Sequence, residues 1–389
     1  MSSRRTIVVV MGTHMTCYRE LLHGIKAFAA TRATWQVHFF RPDDNYLRFI
    51  EQLRPDGLIL GALTKYEPVP LAIAQVPCSV GVCGGFKLMR IEGLAEFECD
   101  DERVGQVAAQ HFLQKGYKDF AYVGTRTVWS NQRAEAFERE VKASGHACSR
   151  LDQEWESVVF GRGWDEVDRA GQLAAWLRTL RRPLALLACN DIRARLIADV
   201  CRDQRIRVPE DVAILGVDND DLDCALADPP LSSVAVPWRR IGHDAASLLG
   251  RMLEGERVDP AVVTVPPIGV VERQSTDSIA ISDPDVVAAV RFIRDHAHEQ
   301  IGVEDVLREV PIGRRSLEKR FQQVLRRTPS EEIRRVRIER AKLLLATTDL
   351  SVQEVARESG FGRSTWFSEA FHQLAGQSPA SYRKQCHRT

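Results

Sequence analysis

The chain has 389 residues, 44% of them apolar and 27% charged, a balance that fits a globular protein of roughly two or three domains. Lys+Arg and Asp+Glu are equal at 53 each, so the whole molecule is not a polycation, and no stretch approaches the ~20 apolar residues of a membrane span. Nine cysteines without a single C-x-x-C pair argue against a zinc or redox site and for buried small hydrophobes.

At the start of the chain, Ile7-Val-Val-Val10 turns polar at once. That run is shorter than the roughly 7–15 residues of a secretory core, so it reads as a first buried strand and the protein as cytoplasmic. Further short apolar runs follow at Gln36–Phe40, Gly57–Leu60, Cys78–Val82, Phe120–Val123, Leu184–Ala188 and Val212–Val217. Amphipathic helical stretches lie between them, at Tyr18–Ala30, Val104–Gln114, Arg133–Ala143 and Ala194–Asp203. This alternation predicts βαβ units, hence parallel sheets covered by helices, in two series divided at about residue 116. A ligand of such a two-lobed α/β domain is expected between the lobes, at the carboxyl ends of the strands.

The polar stretch Glu272-Arg-Gln-Ser-Thr-Asp-Ser278 ends this pattern, and the remainder reads as all helical. Asp283-Pro284 offers an N-cap with proline at the first helical position. Thr328-Pro-Ser-Glu331 and Ser351-Val-Gln-Glu354 have the spacing of capping boxes. An internal repeat joins Val303-Glu-Asp-Val-Leu-Arg-Glu309 to Val352-Gln-Glu-Val-Ala-Arg-Glu358 at an offset of 49. The offset becomes 50 where Phe321 and Thr328-Pro329 match Phe371 and Ser378-Pro379. Two copies of helix-turn-helix, with one extra residue in the second turn, account for the repeat. Charge agrees: Pro311–Leu345 holds 11 basic residues and 4 acidic ones, the footprint of a phosphate-contacting face. The expected division is a two-lobed α/β domain over 5–275, a linker over 276–283 and an all-α double helix-turn-helix domain over 284–389.

The stretch Arg337–Leu345, then Ser351–Ala356, Gly360-Phe361, Trp366–Phe371 and Gly376–Arg383, resembles the AraC/XylS family over residues 284–385. That resemblance implies double-stranded operator DNA as partner and a recognition helix in each repeat. The first would run Arg314–Leu325, led by Arg314, Arg315, Ser316 and Lys319. The second would run Arg363–Leu374, exposing Arg363, Ser364, Thr365 and Ser368. Recognition helices present their first turns to base edges, and arginine is the commonest reader of guanine. Leu317, Phe321, Trp366 and Phe371 read as core, and a long helix over 331–347 offers Arg334, Arg335 and Arg340 either to phosphate or to solvent.

The two-lobed region carries Pro55-Asp-Gly-Leu-Ile59, Cys99-Asp-Asp101, Cys189-Asn-Asp191, Val208–Asp218, Pro230–Val234 and Glu272–Thr276. On these it is similar to the LacI and periplasmic sugar-binding fold over about 5–275. A sensor of this type before an AraC-type tail resembles the xylose operon activators, which implies a monosaccharide effector, most simply D-xylose. The family's sugar-holding Arg, Asn and Asp fall on Arg133, Asn190 and Asp218. Trp129 and Trp238 are offered either to the sugar or to packing between the lobes. The resemblance further implies a homodimer that meets RNA polymerase if its output is activation. Two departures stand out: Val236 replaces a polar hinge residue, and Cys83-Gly84-Gly85 lacks an acid, so the sugar can differ. No cofactor, metal or membrane contact is expected. His296 and His298 lack a third ligand, and no G-x-S-x-G or phosphate-cradling glycine loop occurs. A sugar-active enzyme, a repressor and a transport receptor are the alternative readings.

Overall fold

A computed structural model describes the chain except residues 1–3, 43–44, 62–68, 77, 83–93, 154–162, 259–260, 278–282, 326, 349, 363 and 387–389. Its contacts divide the chain into two compact units, 1–278 and 279–389.

The first unit holds two six-stranded sheets. One has the order β11-β5-β4-β3-β1-β2, from β1 (Arg5–Val10), β2 (Trp35–Phe40), β3 (Gly57–Gly61), β4 (Ser79–Val82), β5 (Ala95–Cys99) and β11 (Val262–Val265), all parallel. The other has the order β12-β10-β9-β8-β6-β7, from β6 (Asp119–Thr125), β7 (Cys148–Gln153), β8 (Leu184–Ala188), β9 (Val212–Val217), β10 (Ser232–Ala235) and β12 (Gly269–Val271). Only β12 runs antiparallel to its neighbour. Helices α1 (Thr16–Ala29), α2 (Tyr46–Leu53) and α3 (Val69–Gln75) belong to the first lobe. Helices α4 (Asp101–Gln114), α5 (Val128–Ala143), α6 (Gly163–Thr179), α7 (Asp191–Asp203) and α8 (Asp221–Leu226) belong to the second. Helix α9 (Trp238–Leu253) packs on α1 and on β3, β4 and β5, so the chain returns to the first lobe before leaving it again. Three crossings therefore join the lobes, at 99–101, 235–238 and 265–269. A single division near residue 116 does not describe this: α4 pairs with α5 in the second lobe, and α9 with β11 completes the first. A 3₁₀ turn, Gln274–Thr276, closes the unit.

The central strands β1, β3, β8 and β9 are apolar and almost wholly buried, as parallel strands covered on both faces must be. Two strands are hidden from the sequence pattern for a physical reason. β5 interleaves Glu96 and Glu98, and β10 begins with Ser232 and Ser233, yet all four are buried.

The regular elements described in the second unit are all helices: α10 (Pro284–His296), α11 (Val303–Glu309), α12 (Arg314–Leu325), α13 (Pro329–Thr347), α14 (Val352–Glu358), α15 (Ser364–Ala375) and α16 (Pro379–Cys386). Both capping boxes form, at Thr328/Glu331 and Ser351/Glu354. α13 serves two cores. Ile333 and Val336 pack with Val286, Ile293, Val306, Leu317 and Phe321, while Ile338, Ala341 and Leu345 pack with Val355, Phe367 and Phe371. Gly360 closes α14 at φ 80, where an added Cβ would lie 2.1 Å from the Ala297 carbonyl oxygen.

Candidate ligand cleft and nucleic-acid interface

In the sensor, Arg133, Asn190, Asp218 and Trp238 follow β6, β8, β9 and β10, so all four stand at the carboxyl ends of strands in one sheet. Arg133 is only 3% exposed. Its Nε donates to Asp101 Oδ1 at 2.9 Å and its Nη1 to the Cys189 carbonyl at 2.5 Å. Gly105 makes the first bond possible: a Cβ there would come within 2.4 Å of the Arg133 carbonyl oxygen, so α4 and α5 can touch. Trp129 covers the guanidinium, with its ring centroid 4.9 Å from Arg133 Cζ.

Arg133 Nη2 reaches Asp218 Oδ1 only at 4.0 Å, an ion pair without a hydrogen bond. Asp218 is held at φ 104, a conformation side chains rarely adopt, and its Oδ1 accepts no hydrogen bond. Burial pushes its carboxyl up to about 7, against the pull of Arg133, with Asp101 and Asp220 adding to the rise. Asn190 caps α7 by accepting from the Arg193 amide at 3.0 Å, and its Nδ2 is buried without a partner. The Trp238 indole N–H faces Asp218 and favours its ionised form without closing a hydrogen bond. Two donors and one acceptor thus follow neighbouring strands of one sheet, desolvated and unsatisfied, each costing roughly 1–3 kcal/mol until something pairs with it. They fit vicinal hydroxyl groups, which donate to a carboxylate and accept from N–H.

The first lobe meets this region through Thr16, whose hydroxyl donates to Asp220 Oδ2. Asp191 ties the same loop down, accepting from Ser233 Oγ at 2.7 Å and from the Asp220 amide at 2.7 Å. Burial, with Asp218 nearby, pushes the Asp191 carboxyl up. From here bonds run to the end of the unit. Arg273 Nη2 donates to Asn219 Oδ1, Ser232 Oγ bonds the Arg273 backbone and Thr276, and His111 Nε2 meets Thr276 Oγ1. Val236, the departure at the hinge, is buried. The Cys83-Gly84-Gly85 loop lies outside the described residues. A separate recess of about 590 Å³ between β5, β11, α4 and α5 is acidic, and none of Arg133, Asn190, Asp218 or Trp238 lines it.

In the helical unit the helix expected to read DNA in the first repeat is α12 (Arg314–Leu325). Arg315 and Lys319 are exposed and, among the described residues, make no ion pair; Ser316 is half-buried. Arg314 is also exposed but is held by Glu304 at 2.8 Å and Glu318 at 3.1 Å. In the second helix, α15, Ser368 is exposed; Arg363 and the side chains of Ser364 and Thr365 lie outside the described residues. Trp366 is not core: it is 70% exposed, because Phe367, Ala370 and Phe371 form the buried stripe and leave it on the flank. It lines an open groove of about 810 Å³ with Arg334, Arg337, Glu369 and Gln373. Two of the arginines offered to phosphate have structural partners. Arg335 pairs with the buried Glu332, and Arg340 donates to the Glu358 carbonyl. Arg334 is exposed and makes no ion pair among the described residues.

Among the described residues no helix is long and apolar enough to cross a membrane, and no cluster of three or more His, Cys, Asp or Glu stands ready for a metal. A periplasmic binding protein-like domain model matches residues 109–276, and a helix-turn-helix domain model matches residues 306–385. Fold and sites together define a transcription regulator that senses through a two-lobed α/β domain and binds DNA through a double helix-turn-helix. The chain is 30% identical to the xylose operon regulatory protein of Escherichia coli strain K12, across 98% of this chain and 97% of that one. It is 30% identical to the Haemophilus influenzae protein of the same name, across 98% of each. The solved structure of the xylose-binding transcription activator xylR matches with TM-score 0.75 at 30% identity, across 98% of both chains. A transcriptional regulator CelR–cellobiose complex matches in fold at 21% identity and TM-score 0.57, across 71% of this chain and 86% of that one. The chain belongs to the family of xylose operon regulatory proteins.

Proposed function

We propose that this regulator takes an aldose between its sensor lobes, D-xylose being the simplest effector, and that the sugar alters operator binding by the helical unit to activate pentose catabolic genes. The observation that carries the reading is that Asn190 Nδ2, Asp218 Oδ1 and Trp238 Nε1 are buried and unpartnered after neighbouring strands of one sheet, with Arg133 4.0 Å from Asp218. The names of the relatives support xylose in particular. Residues 5–275 act as sensor, 276–283 as linker and 284–389 as reader. Arg315 and Lys319, with Arg314 and Ser316 beside them, face bases in one major groove, and Arg363, Ser364, Thr365 and Ser368 face the next. Sugar seated on Asp218 moves its loop, and Asn219–Arg273 hands that movement to the strand leading into the linker. The protein acts in the cytoplasm as a homodimer and meets RNA polymerase when it activates.

A thermal-shift screen of the full chain against pentoses and hexoses tests the effector. A sugar at a hundred times its Kd stabilises by about 2.7 kcal/mol. D-xylose should therefore raise the melting temperature clearly, and Asn190→Ser, which keeps the helix cap but loses the N–H donor, should blunt the rise. No stabilisation by any aldose, or equal stabilisation of the variant, overturns the reading.

A further inference from the structure

The two recognition helices descend from one repeat, and its register lays their outward faces on one another. Leu317 and Phe321 of α12 take the places of Phe367 and Phe371 of α15, and all four are fully buried. At that offset of 50, Arg315 corresponds to Thr365, Lys319 to Glu369 and Gln322 to His372. These positions are spaced i, i+4, i+7 and so share the face opposite the buried stripe. Lys319, Gln322, Glu369 and His372 are all exposed.

The charge on that face inverts between the copies. α12 contains Arg314, Arg315, Lys319 and Arg320 against Glu318, whereas α15 contains Glu369 and neither lysine nor arginine, with Arg363 standing one residue before that helix in the sequence. Glu369 is exposed at the edge of the groove that Arg334 and Arg337 also line, and it makes no ion pair among the described residues. A carboxylate on a DNA-facing surface is repelled by every phosphate it passes. It fits where it looks into the major groove at an exocyclic amine, since Glu accepts from cytosine N4.

We propose that Glu369 is a specificity-determining residue, accepting from the N4 amine of a cytosine in the half of the operator read by α15. Lys319, at the matching place on α12, donates to a guanine in the other half. The two halves of the site are then read with opposite polarity, and the acidic copy trades general affinity for discrimination. The proposal rests on the reading that α15 enters a major groove.

Selection from a randomised double-stranded DNA library by the full-length protein tests this and requires no defined operator sequence. Glu369 is exposed, so its variants should fold as the parent does. With Glu369→Ala, cytosine preference at one position should fall by roughly ten-fold, other positions should stay as they were, and affinity for unselected DNA should rise. Glu369→Gln should move that same position toward adenine, which glutamine binds through N6 and N7. A two-part site selected with identical base frequencies by parent and Glu369→Ala overturns the proposal alone. Selection of only one part, unaffected by α15 variants, overturns the groove reading and the proposal together.

Discussion

Arg133 in the sensor is clamped between Asp101 and the Cys189 carbonyl, whereas Arg315 and Lys319 in the reader stand in solvent without an ion pair among the described residues. The contrast fits the ligands proposed for the two units. A neutral sugar offers only hydroxyl groups, and hydrogen bonds to these earn little against water unless donors and acceptors are desolvated and fixed beforehand. Asn190, Asp218 and Trp238 meet that requirement, held by a helix cap, a strained φ and a buried ring. DNA is a polyanion whose field reaches many ångströms, so its readers work best exposed and mobile. Burial of an ionisable side chain therefore means different things in the two units. In the reader it marks architecture, as in Glu332 between Arg327 and Arg335.

The contrast can be broken most forcefully at Arg133. Replacing it by alanine removes the guanidinium that Asp101 and Asp218 both face in a buried site, and breaking a buried pair of this kind costs up to about 3–5 kcal/mol. Denaturant unfolding of the full chain should show the sensor transition shifted by that order as well as loss of sugar binding; unchanged stability would mean the clamp is unimportant. A smaller effect separates neighbouring arginines in the reader. Arg335→Ala should lower stability by about 1–3 kcal/mol by taking away one of the two arginines that flank the buried Glu332, while Arg334→Ala should leave stability alone and flatten the salt slope of DNA binding by about one unit. Equal behaviour of the two in melting and in a salt series would erase the distinction between architecture and contact.

The smallest effect is in pH. Asp218 is raised from 3.8 to about 7 by burial, with Arg133 from α5, Asp101 from α4 and Asp220 from its own loop around it. A folded-state pKa above the unfolded one adds stability that is complete below about pH 4 and is lost as pH rises through 7. The unliganded sensor should lose stability over that window, and Asp218→Asn should remove this part of the slope. Sugar hydroxyl groups donate to the ionised carboxylate, so affinity should tighten several-fold from pH 6 to pH 8, as the carboxyl ionises. Titrations at several pH values check the sign.

Much of this organisation is legible in the sequence, unevenly. The apolar strands Val212–Val217 and Leu184–Ala188 announce themselves because both faces are buried, and the capping boxes and the repeat mark the helical unit. The crossings between lobes are not legible, because β5 and β10 carry buried Glu and Ser whose partners come from distant segments: Ser233 Oγ donates to Asp191, and Ser232 bonds Arg273. Arg133, Asn190 and Asp218 are reached through family resemblance. Asp101, which orients Arg133, is missed by that route, although two acids at the start of α4 are a visible signal of a helix N-terminus. Trp366 is misplaced because apolarity outweighs position: one residue before Phe367 lies about 100° round the helix from it.

A sugar that seats on groups the sensor keeps buried and unpaired must lose affinity when one of them is changed. Calorimetric titration of D-xylose into the full-length protein and its Asp218→Asn variant tests this most directly. The parent should bind one sugar per chain, and the variant, losing charge-assisted hydrogen bonds of about 1.5–3 kcal/mol, should bind at least about ten-fold more weakly while remaining folded. Equal affinity in the two proteins would place the sugar elsewhere and contradict the account.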